Sequence, residues 1–131
     1  MAKKIAEQWI HLGLGATATP EPPFTDMSWY QDYAARHEAD GREGRLVAMF
    51  TFDSSWTSWE VHPEGAEVVL CTAGRITLIQ EQPGGEHTRV TLEPGEYAIN
   101  PPGVWHTADV EDSATAVFIT AGQGTQHRSR E

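Results

Sequence analysis

The sequence predicts an all-β barrel or sandwich preceded by a single short helix. Three observations carry that expectation. From Arg45 onward the chain breaks into short apolar runs of strand length, rich in β-branched and aromatic residues. Those runs are separated at close intervals by Pro and Gly clusters, which favour turns. Only one segment, Met27 to about Glu38, has the spacing of an amphipathic helix.

Taken in order, residues 1–44 read as an arm and helix packing on the barrel, 45–121 as the barrel, and 122–131 as a C-terminal tail expected to be disordered. The first 24 residues look irregular and end in Pro20, Pro22 and Pro23, where helix is disfavoured. Thr25 or Asp26 can cap the helix. Met27, Tyr30 and Ala34 form its stripe, Trp29 and Tyr33 flank it, and Gly41 ends it. Trp9 and Trp29 are expected to pack the arm and helix onto the barrel.

Strands are expected at Arg45–Phe52, Val68–Thr72, Arg75–Gln82, His87–Leu92, Tyr97–Asn100, Val104–Val110 and Ala114–Ala121. Pro83-Gly84-Gly85-Glu86 reads as a hairpin turn between the third and fourth of these. Phe50 and Phe52 share a face that Phe118 can join, as core or as the mouth of an apolar pocket.

At 131 residues the chain is one domain, long enough to bury a core without staples. Nine Lys and Arg against 19 Asp and Glu give a net charge of −10, so nucleic acid and anionic membrane surfaces are not expected partners. The single cysteine, Cys71, rules out an intramolecular disulfide and a multi-cysteine zinc site; on its apolar strand it reads as a small hydrophobe. No apolar run reaches membrane-span length. The residues after Lys3 and Lys4 include Glu7, Gln8 and His11, a poor leader core, so a cytoplasmic protein is expected.

Two stretches carry candidate chemistry: Glu60 to Gly74, and Gly95 to His106. Glu60 and His62 are two residues apart and point to one face of a strand. Pro63 and Gly65 favour a turn that returns Glu67 to the same side, and His106 follows a Pro-Pro-Gly corner. Two imidazoles with one or two carboxylates make a mixed nitrogen and oxygen donor set, suited to Fe(II), Mn(II), Ni(II) or Zn(II). The bland alternative is a pair of surface or core histidines in turns. Glu67 precedes Val68-Val69-Leu70, where an unpaired carboxylate would be costly. Glu60 reads equally as ligand, supporting acid or general base. His11, His37, His87 and His127 lack such partners and are expected to be solvated. Trp59 and Trp105 flank candidate ligands by odd spacings, so they should face away, into packing or a subunit interface.

These stretches resemble the two motifs of the cupin superfamily. The first runs His-x-His, three or four residues, Glu, six residues, Gly; His62, Glu67 and Gly74 match it. The second runs Gly, five residues, Pro-x-Gly, two residues, His, three residues, Asn; Gly95, Pro101, Gly103 and His106 match it. Glu60 stands in place of the first His and Val110 in place of the closing Asn. The resemblance covers a little over a third of the chain. It implies a cupin-type double-stranded β-helix (jelly-roll barrel), a divalent metal on His62, Glu67 and His106 with Glu60 as fourth ligand, and a homodimer. Some sugar-isomerase cupins carry Gln at the first position and still bind zinc, whereas other cupins with eroded motifs bind none. The readings that follow are a metal-dependent dioxygenase, or an isomerase or lyase with Glu60 as base, acting on a small organic molecule. Beside them stand a non-catalytic small-molecule-binding module and a metal-free barrel. The tail from Gly122 to Arg128 resembles one seen in small bacterial cupins.

Overall fold

The computed structural model describes all 131 residues. Eleven strands form two antiparallel sheets packed face to face. The strands are β1 (Ile10–Gly13), β2 (Thr17–Pro20), β3 (Arg45–Phe52), β4 (Ser58–Val61), β5 (Glu67–Gly74), β6 (Ile76–Glu81), β7 (His87–Leu92), β8 (Tyr97–Asn100), β9 (His106–Asp109), β10 (Ala114–Thr120) and β11 (Gln126–Ser129). The first sheet has the order β2-β1-β3-β10-β5-β8 and the second β11-β4-β9-β6-β7. The all-β prediction therefore holds, including β3 over its full predicted range and the β6–β7 hairpin across residues 82–86.

Alternation along the strands decides what is inside. In β5, Glu67, Val69 and Cys71 are buried while Val68 and Leu70 face outward, and β10 repeats this with Ala114, Ala116 and Phe118. The two inner faces meet in one core of Val69, Cys71, Ile76, Leu78, Leu92, Ala108, Val110 and the inward residues of β10. Burial pushes the Cys71 thiol up, consistent with a small buried hydrophobe.

Two expectations for the chain ends need correction. The first 24 residues are not irregular throughout: β1 and β2 form a hairpin, and β1 pairs with β3 to extend the first sheet. The tail is not disordered: β11 pairs with β4 at the edge of the second sheet. The predicted helix is present as α1 (Ser28–Arg36), followed by a 3-10 segment, Glu38–Glu43, in which Gly41 has a φ of +60°. Asp26 does serve the helix start, accepting from the Ser28 amide at 2.9 Å.

His11 and His37, two histidines expected in solvent, are instead bonded between the arm and the helix end. His11 is 3% exposed. Its Nδ1 lies 2.6 Å from the Tyr33 hydroxyl and its Nε2 2.6 Å from Asp40. His37 stacks on it with ring centroids 3.6 Å apart and reaches the buried Glu21 at 2.9 Å, where Arg36 also binds. Asp40 belongs to the 3-10 segment. Above this latch, Trp9, Trp29 and Ala48 form a second apolar cluster, and the Trp29 indole donates to Pro22 O. The arm and helix thus pack where Trp9 and Trp29 predicted. No helix is long and apolar enough to cross a membrane.

Gly74 closes the strand that carries Glu67. Its φ is +69°, and a Cβ there would meet Ser113 O at 2.1 Å. Gly74→Ala is expected to destabilise the fold by about 2 kcal/mol or more, since it adds both strain and a clash with backbone. Urea unfolding of the two proteins measures it.

Candidate metal centre

Four side chains from distant parts of the chain meet between the sheets. Glu60 lies on β4 and His62 one residue past its end; Glu67 opens β5 and His106 opens β9. Glu60 pairs with His106 across the β4–β9 ladder, which sets the two side by side. The turn after His62 returns the chain to β5, as Pro63 and Gly65 suggested. His62 Nε2 is 3.2 Å from Glu67 Oε2 and 3.5 Å from Glu60 Oε1, and His106 Nε2 is 3.2 Å from Glu67 Oε1. One donor atom from each of Glu60, His62 and His106 fits within 4.8 Å of the others. All four residues named from the sequence are therefore adjacent in space.

Burial makes this grouping chemically demanding. His62, Glu67 and His106 are buried, while Glu60 keeps 25% of its side chain exposed. Glu67 is held from two directions: Asn100 Nδ2 donates to Oε1 at 3.0 Å and the Thr120 hydroxyl to Oε2 at 2.6 Å. Gln80 in turn holds the Asn100 carbonyl. Burial alone would push the Glu67 carboxyl up, but the imidazoles of His106 and His62 outweigh it and keep it well below the usual carboxylate range. For His62 the order is similar: burial lowers its pKa, and the Glu67 and Glu60 carboxylates more than reverse that, so it ends raised.

The two imidazoles are anchored through their other nitrogens. His106 Nδ1 lies 3.2 Å from the Val104 carbonyl, which can only accept, so Nδ1 carries the proton and Nε2 presents a lone pair. His62 Nδ1 lies 2.8 Å from the Thr125 hydroxyl. Despite the nearby carboxylate oxygens, both Nε2 atoms are buried and lack a properly directed hydrogen bond. Buried polar atoms are rarely left so, and imidazole nitrogens facing carboxylate oxygens make a set able to take up a positive charge, as a proton or as a metal ion. The donor set of two nitrogens and up to four carboxylate oxygens fits a divalent ion of the Fe, Mn, Ni or Zn type.

The surroundings hold residues that the sequence reading passed over. Trp56 sits against His106, with ring centroids 6.3 Å apart, and against Phe52 and Phe118. Its indole Nε1 is the third buried nitrogen without a partner. Alternation with Ser58, Glu60 and His62 was a signal that could have found it. Tyr30, on α1, has its hydroxyl pKa raised by burial and by the Glu60 charge. Asn100, Thr120 and Thr125 left no readable signal, because each meets its partner only through sheet pairing. Phe50, Phe52 and Phe118 do share one cluster.

Trp59 and Trp105 face away as expected, on either side of the Arg128 guanidinium. His87, 48% exposed, lies on Trp59, and His127, 58% exposed, reaches Glu60 at 3.5 Å. Two surface clefts, one bordered by Arg75, Arg89 and Asp109 and the other by Trp9, Phe24 and Met49, do not open on these residues. In the latch between arm and helix, His11, His37 and Asp40 are also close enough to share an ion, but both His11 nitrogens are already bonded.

Solved structures similar to the chain share its barrel. One is an oxalate oxidase (TM-score 0.57, 17% identity, covering 70% of this chain and 50% of that one). Another is hydroquinone 1,2-dioxygenase from Sphingomonas sp. TTNP3 with 4-hydroxybenzoate bound (TM-score 0.52, 17% identity, 58% of each chain). A third is a cupin-2 domain containing protein from Shewanella frigidimarina (TM-score 0.50, 19% identity, 57% of this chain and 68% of that one). The chain thus spans half to about two thirds of the length of these three structures, and at such identities the likeness is one of fold. No curated protein sequence matches it. A family model described as the cupin domain matches residues 49–122, more than half of the sequence and all four residues of the site, and the chain belongs to that family.

Proposed function

We propose that this cupin holds a divalent metal ion on His62, Glu67, His106 and Glu60 and uses it to act on a small oxygen-bearing organic molecule. The observation that carries the reading is the pair of buried Nε2 atoms, unbonded and facing carboxylate oxygens. A bound ion supplies Lewis-acid or redox chemistry, according to the metal. An oxygenase needs a redox metal; an isomerase or lyase runs on zinc or manganese.

The protein's own groups have separable tasks. Glu67, bonded on both oxygens by Asn100 and Thr120, is a fixed anion with little freedom to exchange protons. Glu60 is the one carboxylate of the four open to solvent, so it completes the ligand set and is the group able to pass a proton to or from a bound molecule. Trp56 Nε1, buried without a partner, supports a ligand that brings an oxygen acceptor, and Phe52 and Phe118 beside it support an apolar body. That the neighbours of known activity include an oxidase and a dioxygenase favours oxygen chemistry over isomerisation.

Metal analysis of the purified protein, without added metal, tests the reading. About one divalent ion per chain is expected, and His106→Ala is expected to lose it. Glu60→Ala is expected to weaken affinity by roughly tenfold while the protein stays folded; an unchanged affinity removes Glu60 from the ligand set. Wild-type protein free of metal and unable to take any up ends the reading in favour of a non-catalytic barrel.

The proposal extends to a homodimer formed through the outer face of the first sheet. Sheet register lines up Met49, Val117, Leu70 and Tyr97 in one row and Val47, Ile119, Val68 and Ile99 in the next. Tyr97 is 63% and Ile99 49% exposed. A chain of charge −10 repels its own copy across most of its surface but not across these two uncharged rows. Light scattering is expected to give twice the 14.5 kDa chain mass for wild type and the single-chain mass for Tyr97→Glu with Ile99→Glu. A monomeric wild type overturns it.

A further inference from the structure

The C-terminal segment is tied to the metal centre at several points, and none of them is needed to fill the core. Its strand β11 pairs with β4, the strand of Glu60, opposing His127 to Glu60 and Arg128 to Trp59. All four of its residues are exposed. Arg128 lies between the rings of Trp59 and Trp105, 5.3 and 4.5 Å from their centres, and is paired with Glu81. Arg130 binds Asp109 at 2.9 Å and donates to the backbone carbonyl of Trp56 at 2.9 Å. These anchors hold the residue just before the strand, Thr125, against His62.

Hydrogen counting around Thr125 is informative. Its Oγ1 lies 2.8 Å from His62 Nδ1 and 2.8 Å from the Gly122 carbonyl. A hydroxyl has one hydrogen to donate, and a carbonyl can only accept. Gly122 O also accepts the Thr125 amide at 3.1 Å, and its second lone pair takes the hydroxyl hydrogen; Oγ1 then accepts, and the proton of the neutral His62 ring sits on Nδ1. Nε2 then presents its lone pair toward Glu67 and Glu60. This is the tautomer that the Val104 carbonyl imposes on His106 by a different route.

We infer that Thr125 is a positioning residue that fixes the tautomer and ring plane of His62 for metal binding, with β11 as the strap that holds it in place. The inference rests on the metal reading for its purpose, but the tautomer itself can be measured without metal. Removing the acceptor would leave a buried Nδ1–H unpaired. The proton would move to Nε2, where a Glu67 oxygen 3.2 Å away can receive it, and the lone pair would leave the site.

The experiment compares full-length wild type, Thr125→Val and Thr125→Ser, each labelled with 15N-histidine, with folding checked by circular dichroism. Nitrogen–proton couplings recorded where His62 is neutral are expected to show Nδ1–H in wild type and in Thr125→Ser, and a shift toward Nε2–H in Thr125→Val. Chelator competition with Zn²⁺ and Mn²⁺ is expected to show affinity roughly 10- to 100-fold lower in Thr125→Val and largely restored in Thr125→Ser. An unchanged tautomer in Thr125→Val, or an equal loss in Thr125→Ser, overturns the inference. If wild type takes up neither ion, the metal reading fails while the couplings still decide the role of Thr125. If wild type and Thr125→Val bind equally, the positioning role fails and the metal reading stands.

Discussion

A buried carboxylate organises this barrel. Glu67 belongs to the first sheet and is held there by Asn100 and Thr120, yet its two oxygens face His106 on the second sheet and His62 just past the end of β4. An isolated carboxylate in such a place would be neutralised or expelled, because desolvation costs far more than a lone hydrogen bond returns. Here two neutral donors hold the anion in place, and the imidazoles opposite keep it ionised.

Around that anion the molecule is layered by polarity. The inner ends of β5 and β10 are packed with small and apolar residues, which makes the lower part of the barrel a core. Toward the site the same inward positions become acid and imidazole, and the aromatic residues Phe52, Trp56 and Phe118 separate the two regions. The arm and α1 pack on β3 through the Trp9–Trp29 cluster and are pinned by the His11 latch. An acidic chain thus confines its few buried charges to small, mutually bonded groups.

Much of the candidate site was readable along the chain because its parts are local. Glu60 and His62 share a strand face by parity, Glu67 returns after a Pro-Gly turn, and His106 follows a fixed corner, so spacing alone proposes that they converge. Trp56 obeys the same parity and was readable too. His11 and His37 show the opposite case. Nothing near them in the sequence marks a partner, because Tyr33, Asp40 and Glu21 are brought in only when the hairpin, the helix and the 3-10 segment pack together. A histidine without local partners looks solvated until those contacts exist.

The chain ends divide in the same way. Strand periodicity, turn residues and motif spacing are properties of neighbouring residues, so the sequence by itself determined the β architecture, the hairpin at 82–86 and the four residues of the proposed centre. Whether segments 10–20 and 126–129 form strands depends on an open sheet edge elsewhere, since two short strands or one hold no extended backbone on their own and, His11 apart, their side chains bury little. Only the tertiary structure could supply those edges, β3 for the arm and β4 for the tail, and with the second came the contact of Thr125 with His62 across 63 residues of chain.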